Sequence, residues 1–307
     1  YLRMERIIIT GALGQLGREF IKFFNKNNTY VLATDIRSPL EDLSCDFEIA
    51  DAMDEKRIDF LIKKHNINVV YHLVAVLSAN GEKNPFMAWE INMKSFQNII
   101  SLSINNGIKK IFWPSSIAVF GTKSNLSFAA QDSILNPETI YGISKLAGER
   151  LVNYYNKKFD LDIRSLRYPG IISFDTKPGG GTTDYIIEMI QSLKNGKDYT
   201  CFLNKNTELP MLYINDAVKG TIDYMSVDKQ NLKVKDSYNI TGFSITPNKL
   251  EKKLIELGCN AKVIYKSDFR QDIADTWPKK IDDSSAINDW NWKFEYGLKE
   301  TLNVVFK

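Results

Sequence analysis

Cysteine and histidine are both scarce, with three of the first and two of the second in 307 residues. Cys45, Cys201 and Cys259 are far apart and follow no ligand spacing, so neither a disulfide framework nor a metal site is expected. A reducing compartment fits best. An excess of one charge is also missing: 40 basic residues face 37 acidic ones, interspersed, for a net charge of +3. That balance excludes the basic stripe that nucleic-acid binding would need. No apolar run is long enough to cross a membrane. The opening Tyr1-Leu2-Arg3-Met4-Glu5-Arg6 carries no signal-peptide pattern. The expected location is cytoplasmic, or the mitochondrial matrix if a transit peptide has been removed. Repeats, low-complexity tracts and flexible linkers are absent too. A hydrophobic content of 44% over this length suffices for a large core without staples.

What is present in the first half is an alternation of strand and helix patterns. Strands are expected at 6–10, 30–33, 69–73, 110–113 and 163–166, and helices at 14–25, 54–65, 85–106 and 141–159. Asn84-Pro85 reads as an N-cap followed by proline at the first helical position. Such alternation predicts βαβ units and a doubly wound, mainly parallel α/β sheet. After Tyr168-Pro169-Gly170 the rhythm loosens into shorter strands (199–203, 209–213, 237–240) and helices (184–194, 215–225, 247–257). Residues 1–170 are expected to form the cofactor-binding core. Residues 171–307 are expected to be mainly a smaller C-terminal substrate-binding lobe, interleaved with the last sheet strands.

The run Thr10-Gly11-Ala12-Leu13-Gly14-Gln15-Leu16-Gly17 lies between the first strand and the first helix. Glycines at 11, 14 and 17 let the backbone approach a pyrophosphate, leave the helix N-terminus free to bond it, and let the helix pack close to the sheet. Asp35, at the end of the second strand, suits the adenosine ribose hydroxyls and repels a 2′-phosphate, which favours NAD over NADP. Arg37 is a complication, because a cation there suits a phosphate. Asp51, beside Ala52, reads either as a partner for the adenine amino group or as a helix N-cap. The candidate cofactor contacts are Gly11, Leu13, Gly14, Gln15, Leu16, Gly17, Asp35, Asp51, Ala52, Leu73, Ala75, Tyr141 and Lys145.

Tyr141-Gly142-Ile143-Ser144-Lys145 opens a later helix and puts a phenol and an ammonium on one helix face. A phenol with an ordinary pKa of about 10 is a poor base at neutral pH. A neighbouring ammonium and an oxidised nicotinamide are expected to lower it. Ser115 and Ser116 follow the strand ending at Trp113, where strand carboxyl ends gather at the ligand crevice of such sheets. Ser116 is the choice to hold the reacting oxygen in line with Tyr141, with Ser115 the alternative. His65 and His72 read as structural.

The glycine pattern, the serine, Tyr141 and Lys145 resemble the extended short-chain dehydrogenase/reductase superfamily, which includes the UDP-galactose epimerases. That resemblance covers nearly the whole chain and implies a Rossmann fold whose C-terminal lobe shapes the substrate pocket. The segments 72–79, 111–121 and 167–173, Pro178-Gly179-Gly180-Gly181-Thr182-Thr183-Asp184-Tyr185, Leu209-Pro210-Met211 and Trp277-Pro278 are similar more narrowly to the short-chain L-threonine 3-dehydrogenases. This implies oxidation of L-threonine to 2-amino-3-oxobutyrate, NAD as acceptor and a homodimer, its surface the helices at 85–106 and 141–159. Ser78, Thr182 and Thr183 are then candidates for the substrate carboxylate and Asp184 for its ammonium. Trp277 is either a pocket wall or core, and the glycine stretch also reads as an ordinary glycine turn followed by a helix capped by Thr183 or Asp184. Gly179 to Gly181 give a segment able to close over so small a substrate. A nucleoside-diphosphate-sugar epimerase or dehydratase is the first rival and would need cations for its phosphates. A non-catalytic NAD-sensing regulator is the second.

Overall fold

The computed structural model describes residues 5–176 and 179–306. Tyr1, Leu2, Arg3, Met4, Lys177, Pro178 and Lys307 lie outside the described residues, and with them the expectations placed on the N-terminal run and on Pro178. The β-branched and aromatic runs become β1 (Arg6–Thr10), β2 (Tyr30–Asp35), β3 (Asp46–Ile49), β4 (Val69–His72), β5 (Lys110–Phe112), β6 (Ser115–Ser116), β7 (Asp162–Arg164), β8 (Leu166–Tyr168) and β9 (Gly170–Ile172). The helices between them are α1 (Gln15–Lys26), α2 (Glu55–Lys64), α3 (Ser78–Lys83), α4 (Pro85–Asn106) and α5 (Ile140–Phe159), followed by α6 (Tyr185–Lys194).

Six strands form one parallel sheet in the order β3-β2-β1-β4-β5-β7. Ile7 and Ile9 turn to one face of β1 and Ile8 to the other, and all three are fully buried. A strand covered by helices on both faces requires that pattern. Strand order reverses at β1, with β2 on one side and β4 on the other, so a crevice opens at the carboxyl ends of β1 and β4. Helix ends follow their side chains. Asn84 Oδ1 accepts the Met87 N–H at the start of α4, and Gly107 closes that helix at φ 69°. Asp54 caps α2 by accepting the Arg57 N–H.

Several strand ends differ by one or two residues, and one expected strand is divided. Instead of a single strand over 163–166 the chain changes sheet at Ser165: β7 completes the main sheet, while β8 pairs with β6 and with Tyr238–Asn239. The cause is two buried arginines with partners in different directions. Arg164 bonds Asp162 and the Tyr224 carbonyl, and Arg167 bonds Glu149. The short helices Ser78–Lys83, Phe269–Asp275, Ser284–Trp290 and Leu298–Phe306 were not expected, having too few turns for a readable period. A single hydrophobic cluster runs from Phe20, Tyr71 and Phe112 in the first half to Tyr185, Leu212, Trp277 and Trp292 in the second. Among the described residues no helix is long and apolar enough to cross a membrane, and no group of three His, Cys, Asp or Glu is placed to hold a metal ion.

Candidate active site

Gly11 turns the chain out of β1 at φ 72°, and a Cβ there would press on Val74 N at 3.0 Å and Leu73 C at 3.1 Å. Gly14 precedes α1 without any side-chain cap, so the first turn of that helix has no side chain drawn across it. Gly17 lies against Ala12, where a Cβ would meet the carbonyl oxygen at 2.5 Å. The result is a cradle closed by backbone and open to the crevice. Gln15 Nε2 is a buried donor there without a partner. These features fit a dinucleotide pyrophosphate at a helix N-terminus.

A cavity of about 860 Å³ extends from this cradle to the C-terminal half. Its walls include the expected Gly11, Leu13, Gly14, Gln15, Leu16, Gly17, Leu73, Ala75, Ser78, Ser116, Tyr141, Lys145, Thr182, Thr183, Asp184 and Trp277. Asp35 stands just behind the wall at the end of β2. Its Oδ2 accepts the Leu13 N–H at 3.1 Å and its Oδ1 accepts from Arg37 N and Nε, both at 3.2 Å. Asp51 and Ala52 are not brought to the cavity. Asp51 is exposed and accepts the Met53 N–H at 2.9 Å, and the cap of α2 is Asp54, not Asp51.

The two serines after β5 part company. Both border the cavity, but the Ser115 Oγ is taken up by Glu149, donating to its Oε1 at 2.6 Å, while Ser116 hydrogen-bonds to the Tyr141 phenol. Thr139 caps α5 through the Gly142 N–H, and Gly142 leaves room for the Ala118 carbonyl that any Cβ would strike. That close approach is what brings Tyr141 to Ser116. Lys145, 2% exposed, donates to Pro114 O at 2.7 Å and lies 4.4 Å from the Trp113 ring centroid and 5.5 Å from that of Tyr141.

Burial pushes the Tyr141 phenol up to about 12, with the Ser116 hydrogen bond acting the other way. Burial also takes the Lys145 ammonium down to about 7, opposed by the Glu149 charge. Desolvation dominates in this closed site before the positive charge of an oxidised nicotinamide is added.

In the second half, Thr182 is fully buried and its Oγ1 lies 3.0 Å from Ser78 Oγ, joining α3 to the glycine segment. Asp184 Oδ2 accepts the Gly180 and Gly181 N–H groups at 2.9 and 2.7 Å. The carboxylate expected to meet an ammonium is therefore bonded to the turn before it, and it makes no side-chain cap to α6. Trp277 is both wall and core, 5% exposed, with its Nε1 donor buried and unpartnered. Two positioning residues escaped the sequence reading. Asn92 clamps the Val76 N–H and C=O at 2.7 and 3.1 Å, and Glu149 anchors Ser115. The only available signal for Glu149 was an acid one turn after Lys145.

His72 is fully buried between Thr10 Oγ1 (2.7 Å) and Ser95 Oγ (3.0 Å), and burial takes it down to about 3. Its folded pKa lies below the unfolded value near 6.5, so the unfolded chain protonates first as pH falls. Stability contributed by neutral His72 is complete above about pH 6.5 and is lost toward pH 3 at up to about 1.4 kcal/mol per unit. Urea unfolding of wild type and His72→Gln at pH 7 and 4.5 should show the smaller acid loss in the variant. Equal losses would remove His72 from the acid response.

A glycine cradle facing a serine, tyrosine and lysine across one cavity defines a nucleotide-cofactor enzyme of the extended short-chain dehydrogenase/reductase class. The chain belongs to the NAD dependent epimerase/dehydratase family, which it matches over residues 7–241. It is 38% identical over 309 residues to the Bos taurus protein named L-threonine 3-dehydrogenase, mitochondrial, covering 98% of this chain and 82% of the relative. Among solved structures it is similar to the GalE-like L-threonine dehydrogenase from Cupriavidus necator in its holo form, with a TM-score of 0.95, 40% identity and 98% of both chains covered. It is also similar to a monomeric L-threonine 3-dehydrogenase from a metagenome, at a TM-score of 0.93 and 38% identity over 98% of this chain and 97% of that one.

Proposed function

We propose that this protein catalyses the NAD-dependent oxidation of L-threonine at its Cβ hydroxyl to 2-amino-3-oxobutyrate. The observation that carries the reading is the Ser116–Tyr141–Lys145 set opposite the glycine cradle in one cavity. The Gly11–Gly17 backbone would hold NAD, Asp35 would meet the adenosine ribose and Lys145 would bond the nicotinamide ribose. Bound there, oxidised nicotinamide supplies a hydride acceptor and a positive charge beside the phenol. Ser116 and Tyr141 bond the threonine hydroxyl, and the Tyr141 oxygen takes its proton. Thr182, Thr183 and Ser78 line the end suited to the carboxylate, and Trp277 closes the wall. Asp184 serves this pocket by holding the Gly180–Gly181 turn. Residues 1–170 are the cofactor core and 171–307 mainly the substrate lobe.

The epimerase alternative needs cations for a nucleoside diphosphate. Among the described residues, the basic side chains on the wall are Arg18, Arg37 and Lys145, all on the cofactor side. Incubation with NAD and either L-threonine or UDP-galactose separates the two. Turnover of threonine alone is expected, and turnover of the sugar nucleotide alone would replace this reading.

The protein is further read as a homodimer through α4 and α5, where Phe86 (88%), Trp89 (42%) and Ile143 (42%) are exposed. It is placed in the cytoplasm, or in the mitochondrial matrix if a transit peptide has been removed. Sedimentation velocity at micromolar concentration should give twice the chain mass; a single-chain mass would overturn the dimer.

A further inference from the structure

Glu149 lies one helical turn beyond Lys145 on α5, and none of its surface is exposed. Its carboxylate is fully engaged. Oε1 accepts from Ser115 Oγ at 2.6 Å and from Arg167 Nε at 2.9 Å, and Oε2 accepts from Arg167 Nη2 at 2.9 Å. Arg167, also buried, donates further to Gln131 O at 3.1 Å and Asn239 Oδ1 at 3.2 Å. One side chain thus ties α5 to β6 and β8. A buried ion pair is often no more stabilising than an apolar pair of the same volume, so stability alone is a weak reason for it.

The geometry gives it a better one. Ser115 and Ser116 are adjacent in an extended strand and point to opposite sides. Anchoring Ser115 on Glu149 therefore leaves Ser116 facing Tyr141. Residues four apart on a helix are neighbours, so the same carboxylate places its charge behind the Lys145 ammonium in a dry interior.

We propose that Glu149 is a positioning residue of the proton-transfer set, holding Ser115 so that Ser116 meets Tyr141 and setting a buried negative charge behind the Lys145 ammonium. The inference rests on the dehydrogenase reading and deepens it. With Lys145 down to about 7 and Tyr141 up to about 12, the first proton lost from the pair leaves Lys145. The productive state has the same proton count but the other arrangement, phenolate with ammonium. Glu149 favours that arrangement. Among the described residues, His72 from β4, which stays neutral, interacts with Lys145, Arg167 from β8 faces Glu149 with Asp236 beyond it, and Tyr168 and Asp184 line the same cavity.

Two variants test this. Glu149→Gln/Arg167→Met removes both members of the ion pair together, so neither is left without the other, and it takes the counter-charge from Lys145. Ser115→Ala keeps the ion pair and removes only the anchored hydroxyl. In an active wild type, the double variant should lose plateau kcat about tenfold, with the midpoint of its kcat–pH profile about half a unit lower. In cofactor-free protein, cyanate carbamylation of Lys145, read by peptide mass, should move its midpoint the same way. Ser115→Ala should lose kcat about fivefold with neither midpoint moved. A folded double variant with both midpoints unchanged overturns the inference, as does full kcat in Ser115→Ala, which decides the matter even where the double variant does not fold. A wild type silent with L-threonine and NAD fails the dehydrogenase reading instead, and the cyanate midpoints still judge the charge behind Lys145.

Discussion

Replacing Tyr141 by phenylalanine is expected to lower kcat for L-threonine oxidation about a thousandfold, within the range general acid–base groups contribute. The phenol bonds Ser116, and the Tyr141 side chain lines the cavity with Lys145. Removing the hydroxyl leaves the ring, and hence the packing of α5 against the serine loop, in place. Losing one hydrogen-bonded hydroxyl costs about 1 kcal/mol of stability, too little to unfold the chain. The glycine cradle is untouched, so the dissociation constant for NAD should stay within about threefold. Stopped-time assays and NAD titration of the same preparation read both quantities. Activity above about a tenth of wild type would remove Tyr141 from the acid–base role. Loss of NAD binding in parallel would mean that the substitution acts on the cofactor and not on the proton.

The second large effect belongs to Gly17. A Cβ there would lie 2.5 Å from Ala12 O and 2.7 Å from both Ala12 C and Cα, all backbone atoms fixed by the exit from β1. The helix has to lift off the sheet to admit one methyl group. Gly17→Ala should therefore cost about 2–3 kcal/mol, the overpacking range, and weaken NAD at least about tenfold as the first turn of α1 moves from the cradle. Gly107→Ala is the natural contrast. Nothing lies within 4 Å of a Cβ there, and only its φ of 69° is unfavourable. It should cost about 1 kcal/mol and leave NAD binding alone. Thermal unfolding with NAD titration tests the pair, and equal behaviour would refute the packing role assigned to Gly17.

Both predictions rest on features legible in the sequence, and the reason is local. The glycine run, Tyr141 and Lys145 act through spacing along one turn or one helix, and short-range geometry fixes spacing. The Asn84-Pro85 helix start was readable for the same reason. What escaped depends on contacts distant in the chain. The sequence already favours Ser116 over Ser115, but the contact that separates them, with Glu149, lies 34 residues away from Ser115 and was not readable. The break at Ser165 turns on where Arg164 and Arg167 find partners. The glycine turn is one of two readings of its stretch, but that its N–H groups would engage Asp184 depends on how the turn folds back. The burial that pushes up the Tyr141 phenol is a property of the whole site and has no sequence signal.

The central claim is that the Tyr141 phenol takes a proton from threonine while a hydride leaves its Cβ. The most direct measurement is the appearance of reduced nicotinamide, by absorbance, in purified protein mixed with NAD and either L-threonine or L-threonine deuterated at Cβ. The account predicts reduction with L-threonine, one deuterium delivered to the cofactor from the labelled substrate, and no comparable rate with UDP-galactose. Reduction of NAD without transfer of that deuterium, or no reduction at all, would contradict it.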